Sequence, residues 1–337
     1  MKKIFVRSPY FIEVNETGQT GAKVDLFIWH RNESEPTVPT YTLTQNIASQ
    51  TQTNITFNIS PYALDNIQIV TPTIGASIAL EDAVNWVYVK VKRYKIVSGT
   101  STLLDTETFA ALNGFTLYEN GYNQYNDSDV VPLFNTDILL YNFNDTNKYV
   151  NVWLDASTRY RYNEAPFTAA VDGVYKLPYS IDLNYTLKKG TISPILRFDY
   201  NIENLCEPKY TPVVCSYINR FGGWQFLTFF KASKESLETE YKDFKLMPQS
   251  VDYDVNLGVT KTFNQQGKKK ITCNTGWVDE NYFELIEDLM LSDIILIDGK
   301  PAYILSKSTD RKTYIRDKNI NYTLDFQYAY GVINDII

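Results

Sequence analysis

Residues 213–234 have the sequence VVCSYINRFGGWQFLTFFKASK, which is the stretch least typical of a solvent-exposed surface. Two apolar runs, Val213 to Ile218 and Trp224 to Phe230, flank a short segment that ends in a glycine pair. The runs consist largely of β-branched and aromatic residues and are too short for an ordinary helix, whereas paired glycines permit positive φ. This pattern predicts a buried β-hairpin with a bulged or longer loop.

The tip of this hairpin supplies the candidate site residues, all assigned a structural or assembly role: Asn219, Arg220, Phe221, Gly222, Gly223 and Trp224. Arg220 is the one charged residue among them. A guanidinium can make bidentate hydrogen bonds to backbone carbonyls or to a carboxylate. We expect the acceptor to belong to the same chain, with an acceptor on a neighbouring molecule as the alternative.

The hairpin motif also resembles a known pattern. Cys206-Glu207-Pro208-Lys209-Tyr210, an apolar strand, Asn219-Arg220-Phe221-Gly222-Gly223-Trp224 and an aromatic strand follow one another. This order is similar to structural proteins of tailed bacteriophages that infect Bacteroidetes, including the crAss-like phages. The resemblance covers Asp199 to Ala329. It implies a ring or tail component of the virion that assembles as a closed ring near the portal and tail axis.

Length and composition predict a mainly β protein with several domains. A chain of 337 residues can form two or three separate cores. Aromatic residues make up 15% of the sequence and include 26 tyrosines, a composition that favours strands. We expect a β-sandwich domain at residues 1–98 and a second β-rich domain with a long Asn- and Tyr-rich loop at residues 99–198. Residues 199–337 are expected to form an α+β domain with one amphipathic helix on an antiparallel sheet.

Asn85 to Val97 has the clearest strand alternation in the first half. Trp86, Tyr88 and Lys90 fall on one face and three valines on the other, which predicts an antiparallel sheet with one solvated face. Ser98-Gly99 then predicts a turn. The other strands predicted before the hairpin are Ile4 to Val14 interrupted at Ser8-Pro9, Val24 to His30, Thr40 to Asn46, Asn54 to Ile59, Thr102 to Thr108, Val150 to Leu154, Gly173 to Tyr179, Ser180 to Leu187 and Ile195 to Ile202.

The last third contains the one predicted helix, Asp279 to Leu291. Its apolar residues recur at helical spacing and its first turns are acidic, which suits the helix dipole. Asp298-Gly299 predicts a tight hairpin turn, and Tyr322 to Tyr330 an alternating strand.

Two segments of this third are harder to assign. Ala232 to Lys245 is charged and ambiguous between a short helix and a loop. Asp252 to Phe263 is predicted as a strand with Tyr253, Val255, Leu257 and Val259 on one face, and Lys268 to Thr272 as its partner.

Residues 113–147 are predicted as a loop-rich excursion, because Asn, Gly and Asp break regular structure repeatedly. Its tyrosines and acids suit a partner-binding surface, and the alternative is a loop packed on its own domain. Asn126-Asp127-Ser128-Asp129 can supply oxygen ligands to calcium but lacks the spacing and terminal Glu of an EF-hand loop. We predict no metal site.

Charge and hydropathy argue against nucleic-acid and membrane partners. A net charge of -7 disfavours phosphate backbones and acidic lipids. The short basic run at Lys268 to Lys270 is interpreted as a solvated loop. The apolar run after Met1 is too short for a signal peptide, and no run approaches a membrane span. We therefore expect a soluble chain made in the host cytoplasm, with its three cysteines reduced.

No catalytic constellation is recognisable, so we predict that the chain is not an enzyme. His30 is the only histidine, and no nucleophile motif accompanies it. Gly222-Gly223 lacks the Lys and Ser/Thr of a phosphate loop, so no cofactor is expected. Acid pairs such as Asp252 with Asp254 are interpreted as solvated carboxylates rather than a glycosidase site.

These observations lead to one functional hypothesis and one alternative. The first is a virion structural protein of the tail or neck, whose partners are copies of itself in a head-to-tail ring and neighbouring portal, ring or tail proteins. The alternative is a receptor- or glycan-binding tail fibre or adhesin module, for which a Tyr- and Asn-rich β-sandwich is also suitable.

Overall fold

The computed structural model describes residues 1–47, 54–75, 77–81, 85–120, 131–134, 140–143, 148–156, 159–162, 165–179, 185–189, 197–200, 202–205, 209–247, 251–252, 254, 256, 258–311 and 320–333. The fold is mainly β with several antiparallel sheets, as predicted. Within these ranges the helical segments are α1 (Ser60–Leu64), a 3-10 turn at Tyr118–Asn120 and α2 (Tyr282–Met290).

The chain divides into two compact units, where the sequence predicted three segments. Unit 1 contains Met1–Leu205 and Tyr217–Phe226, and unit 2 contains Cys206–Ser216 and Leu227–Ile337. The predicted boundary at residue 98 falls in the turn of a long hairpin, between strands that pair along their full length. Residues on both sides of it therefore belong to one sheet, which is the physical reason for the difference.

The first part of unit 1 is a β-sandwich-like arrangement. Its strands are β1 (Lys2–Phe5), β2 (Phe11–Val14), β3 (Gly21–Trp29), β4 (Tyr41–Asn46), β5 (Ile55–Asn58), β7 (Trp86–Val97) and β8 (Thr100–Leu112). The larger sheet has the order β1-β8-β7-β3-β4, and the smaller sheet pairs β2 with β5. Apolar side chains of both sheets, such as Val14, Leu26 and Phe57, share one buried cluster.

Strand β7 alternates as predicted, but its second face is not solvated throughout. Val87, Val89 and Val91 lie in the sandwich core. On the other face Trp86 is fully buried, with its ring centroid 5.0 Å from that of Trp153. The expectation of one solvated face is therefore wrong at this end, because a second apolar cluster packs against it. Ser98 and Gly99 both have positive φ, which confirms the predicted turn.

The rest of unit 1 consists of shorter sheets around a third apolar cluster. The strands are β6 (Ala79–Leu80), β9 (Val131–Pro132), β10 (Leu140–Phe143), β11 (Lys148–Leu154), β12 (Arg159–Tyr162), β13 (Ala165–Thr168), β14 (Gly173–Tyr179), β15 (Tyr185–Lys189), β16 (Arg197–Tyr200) and β17 (Ile202–Leu205). One sheet has the order β6-β14-β11-β9, another β13-β12-β15-β16, and β10 pairs in parallel with β17.

The last sheet has seven strands. They are β18 (Val213–Ile218), β19 (Trp224–Phe229), β20 (Lys234–Lys245), β21 (Thr260–Asn274), β22 (Ile295–Ile297), β23 (Lys300–Ile304) and β24 (Thr323–Gly331). Their order in the sheet is β19-β18-β22-β23-β24-β21-β20. Positive φ at Asp298 and Gly299 confirms the predicted tight turn between β22 and β23. Helix α2 buries Tyr282, Leu285 and Ile286 on one face, as the periodicity predicted.

Strands β20 and β21 correct two sequence-based interpretations. The segment that is ambiguous in sequence between helix and loop is strand β20, and its partner is β21. The hairpin predicted between Asp252 to Phe263 and Lys268 to Thr272 is wrong, because residues 260–274 form one continuous strand. Tyr253, Val255 and Leu257 lie outside the described residues. The Lys268 to Lys270 run is likewise strand rather than loop, with Lys268 Nζ 2.7 Å from Glu240 Oε1.

Within the described ranges, no helix has the length and apolarity needed to span a membrane.

Candidate functional site

The predicted hairpin forms, with Asn219 to Gly223 as the loop between β18 and β19. The N–H of Asn219 donates to the Gly223 carbonyl at 3.0 Å, and the N–H of Gly222 donates to the Asn219 carbonyl at 3.0 Å. Gly222 has φ +79°, the left-handed conformation that glycine tolerates best. Gly223 does not have positive φ, so only one of the two glycines is used in the way the sequence suggested.

The side chain of Asn219 holds the loop together from inside. It is buried, with 1% of its surface exposed. Its Oδ1 accepts hydrogen bonds from the N–H groups of Phe221 at 3.0 Å and Gly223 at 3.1 Å. Its Nδ2 donates to the Leu133 carbonyl at 2.8 Å and to Gln225 Oε1 at 3.3 Å. One amide thus closes the turn and anchors it to a strand end far away in the sequence.

The glycines allow the backbone of the tip to approach other backbone segments of unit 1 closely. A Cβ atom on Gly222 would lie 2.9 Å from the Asn113 nitrogen and 3.0 Å from the Gly114 nitrogen. A Cβ atom on Gly223 would lie 2.8 Å from the Leu133 carbonyl oxygen. The tip in turn crowds Gly114, because a Cβ atom on Gly114 would lie 2.5 Å from the Arg220 carbonyl oxygen. We call these three mutually crowded segments, residues 113–114, Leu133 and residues 219–223, the glycine interlock.

Trp224 continues the same network on the other side of the loop. It is buried, and its backbone N–H donates to Asn151 Oδ1 at 2.8 Å. Asn151, from the middle of β11, donates in turn from Nδ2 to Glu81 Oε2 at 3.2 Å. The Glu81 carboxylate is also 3.5 Å from Lys176 Nζ. A buried polar chain therefore links the start of β19 to strands β11 and β14.

Arg220 and Phe221 lie at the half-buried end of the tip. The Arg220 carbonyl accepts a hydrogen bond from the Phe115 N–H at 2.7 Å. The guanidinium carbon of Arg220 is 5.3 Å from the centroid of the Phe221 ring, a cation–π distance. The Phe221 ring meets Phe5 edge to face at 6.3 Å. The predicted acceptor of the Arg220 guanidinium, in the same chain or on a neighbour, stays a prediction.

The sequence pattern identified the tip of the hairpin, but it did not identify the residues of unit 1 that contact the tip. Asn113-Gly114 gave only a loop signal, although both residues line the glycine interlock. Leu133 was not identified. Asn151 did carry a signal, since it is a polar residue inside an apolar strand that proves buried on both faces.

The arrangement serves backbone organisation better than chemistry. Within the described residues, no group of three His, Cys, Asp or Glu side chains could hold a metal ion. The run at residues 126–129, which the sequence showed to carry oxygen ligands without the EF-hand spacing, lies outside those residues. His30 follows β3, where its backbone N–H donates to Glu33 Oε2 at 3.0 Å. Burial raises the pKa of Cys273 to about 12 and also raises the pKa of Cys215, so both thiols stay protonated and unreactive. Cys206 lies outside the described residues.

Comparison with known proteins returned no family model, no curated protein and no solved structure that matches this chain.

Replacing Asn219 by alanine is expected to lower the free energy of unfolding by about 2 to 3 kcal/mol, because the change removes the Asn219 partner of the buried Leu133 carbonyl, of the buried Gly223 N–H and of the half-buried Phe221 N–H. Asn274 provides the control. It makes similar bonds, with Oδ1 accepting from Gly276 N–H at 2.7 Å and Nδ2 donating to Thr323 Oγ1 at 2.8 Å, but its side chain is half-buried rather than buried and the bond to Thr323 is exposed. Asn274→Ala should therefore cost less than about 1 kcal/mol in urea denaturation. Equal losses in the two variants would contradict the assigned role of Asn219.

Lys148, at the start of β11, makes stability depend on pH. It is 1% exposed, and burial lowers its pKa from the ordinary 10.5 to about 8. Between these values the unfolded chain binds more protons at this position than the folded chain, so the contribution of Lys148 to stability should rise as pH increases from about 8. Burial and the Glu81 carboxylate raise the pKa of the neighbouring Tyr149. This residue therefore lowers stability as pH rises above 10, the ordinary pKa of tyrosine.

We expect the urea midpoint of the wild type, measured relative to that of Lys148→Met, to increase between pH 8 and 10. The raised pKa values of Cys215, Cys273 and Tyr149 lower stability over the same range, but they do so in both proteins and cancel from the difference. Lys95→Met, on the partly exposed stretch of β7, is the control and should keep the wild-type profile. Parallel pH profiles for wild type and Lys148→Met would contradict the prediction.

Proposed function

We propose that this chain is a non-enzymatic structural protein of a tailed-phage particle, a ring or tail component that assembles as a homo-oligomeric ring in the neck region. Its partners are copies of itself and neighbouring portal, ring or tail proteins. Its place is the virion, after synthesis in the host cytoplasm.

The observation that carries the proposal is the use of the hairpin motif. The resemblance to phage ring and tail proteins is strongest at Asn219 to Trp224, and this stretch forms the glycine interlock and the buried chain through Asn151. A motif that joins distant backbone segments is compatible with a building block of a particle. The mainly β fold agrees with this role.

Native mass spectrometry of neck and tail substructures from purified particles tests the proposal. We expect the chain in a closed ring with one copy number, since head-to-tail contacts close when the rotation between copies divides a full turn. Absence of the chain from the particle would overturn the proposal. A free trimer that binds sugar would instead establish the fibre or adhesin alternative.

Catalytic turnover supplies the second part of the test. The pure chain should hydrolyse no bacterial polysaccharide, and His30→Ala should be equally inactive and nearly as stable as the wild type. Sustained hydrolysis by the wild type that is lost in His30→Ala would show an enzyme.

A further inference from the structure

Strand β20 is a long strand at the edge of its sheet. It covers Lys234–Lys245, and every one of its residues is exposed. In the part of the chain that the structure describes, β21 is its one partner strand, so its other edge presents unpaired N–H and C=O groups. Such an edge is a template for pairing with another chain, and most proteins blunt it.

Proline and a bulge, two of the devices that blunt an edge, are missing from β20, although charged side chains, a third device, make up seven of its twelve residues. The strand contains no proline. The pairing of β20 with β21 contains a bulge, and the extra residue of the bulge belongs to β21. Glu240 pairs with Gln266, whereas Lys242 pairs with Phe263. Asn264, within the bulge, has φ +50°. Strand β20 therefore stays regular over its length. It also exposes large apolar side chains, with Leu237 58%, Tyr241 57% and Phe244 45% exposed.

The charges on β20 are ordered so that the strand complements itself. Two free edges can pair antiparallel about a two-fold axis perpendicular to the sheet, and residues directly opposite then point to the same face. With Glu240 on the axis, Glu235 of each copy faces Lys245 of the other, and Glu238 faces Lys242. Opposite charges in directly opposed positions stabilise a sheet.

Neighbouring registers are worse. An axis on Thr239 places Glu238 against Glu240. An axis on Tyr241 forms one kind of ion pair, Glu240 with Lys242, where the axis on Glu240 forms two. In the favoured register the two Glu240 carboxylates meet at the axis. Each is already bound by Lys268 of its own chain, with 2.7 Å between Nζ and Oε1, so their repulsion is reduced.

We infer that β20 is a docking edge for a second copy of this chain, which pairs with it antiparallel about a two-fold axis at Glu240. The contact is isologous, whereas a cyclic ring uses head-to-tail contacts. The inference is therefore independent of the proposed function, and either can fail without the other.

Charge reversal at the Glu235–Lys245 contact tests the inference on the full chain. Glu235 and Lys245 oppose the neutral Ile271 and Thr260 on β21, so reversing either leaves the strand pair within the chain intact. The wild type should be dimeric at high micromolar concentration in analytical ultracentrifugation. Glu235→Lys and Lys245→Glu should each raise the dimer dissociation constant at least about tenfold, because each places two like-charged pairs across the axis.

An equimolar mixture of the two variants should recover the dimer. In a mixed pair the lysine introduced at position 235 of one chain faces the glutamate introduced at position 245 of the other, and the two unchanged residues also face each other with opposite charge. With one variant labelled with ¹⁵N, native mass spectrometry should therefore find mainly mixed dimers.

Lys261→Glu is the control for these reversals. Lys261 lies on β21 opposite Phe244, away from the free edge, and its reversal should leave the dimer unchanged. A monomeric wild type, or variants whose mixture does not recover the dimer, would overturn the inference.

Discussion

Gly222→Val is expected to lower the free energy of unfolding by about 4 kcal/mol, the sum of two separate costs. The first is strain, because a β-branched residue at φ +79° costs about 1 to 3 kcal/mol. The second is crowding, because a Cβ atom would lie 2.9 to 3.0 Å from backbone atoms of Asn113 and Gly114. Overpacking of this kind adds about 1 to 3 kcal/mol. Urea denaturation followed by near-ultraviolet circular dichroism measures the loss.

Two other glycines separate these costs. Gly99 has φ +86° and no atom within 4 Å of the position of a Cβ, so Gly99→Val measures the cost of backbone strain without crowding. Gly223 lacks positive φ but lies against the Leu133 carbonyl, so Gly223→Ala measures the cost of crowding without backbone strain. Gly222→Val should cost more than either change. If it costs no more than Gly99→Val, the glycine interlock does not limit the fold.

Trp224→Ala is expected to lower the free energy of unfolding by about 3 to 5 kcal/mol, through lost burial and the cavity left behind. Trp224 is 2% exposed and its backbone is tied to Asn151. Thermal and urea denaturation of wild type and variant measure the difference.

Trp277 is the matched control because 56% of its surface is exposed, and Trp277→Ala should cost less than about 1 kcal/mol. Trp224→Phe should retain much of the stability, since it keeps an aromatic ring and removes a buried indole N–H that has no acceptor among the described residues. A Trp224→Ala variant as stable as Trp277→Ala would show that the hairpin is peripheral to the fold.

Local patterns predicted much of the fold correctly. Alternation along Asn85 to Val97, the helical period of residues 279–291 and the turn at Asp298-Gly299 all appear in the structure at the expected places. In each case the deciding interactions lie within a few residues, so side-chain periodicity and turn chemistry are sufficient.

Strand β20 could not be predicted because its strand character is not a local property. All of its residues are exposed, so no apolar period marks the segment. Its conformation depends on hydrogen bonds and ion pairs with β21, including the contacts of Glu238 with Lys270 and of Glu240 with Lys268. Local alternation assigns the partner strand to another hairpin, so the register cannot be found from sequence.

For the candidate site, residue types alone identified the tip, because Asn, paired Gly and Trp between two apolar strands need a special turn and a buried position. The hydrogen bonds and close contacts of that turn are made with residues far away in the chain. Leu133 and Asn151 are 86 and 73 residues from the groups they bind, and Asn113 and Gly114 crowd Gly222 from over a hundred positions away. Hydrogen-bonding capacity and backbone freedom are properties of single residues, whereas the partner that satisfies or crowds each group is chosen by packing of the whole unit.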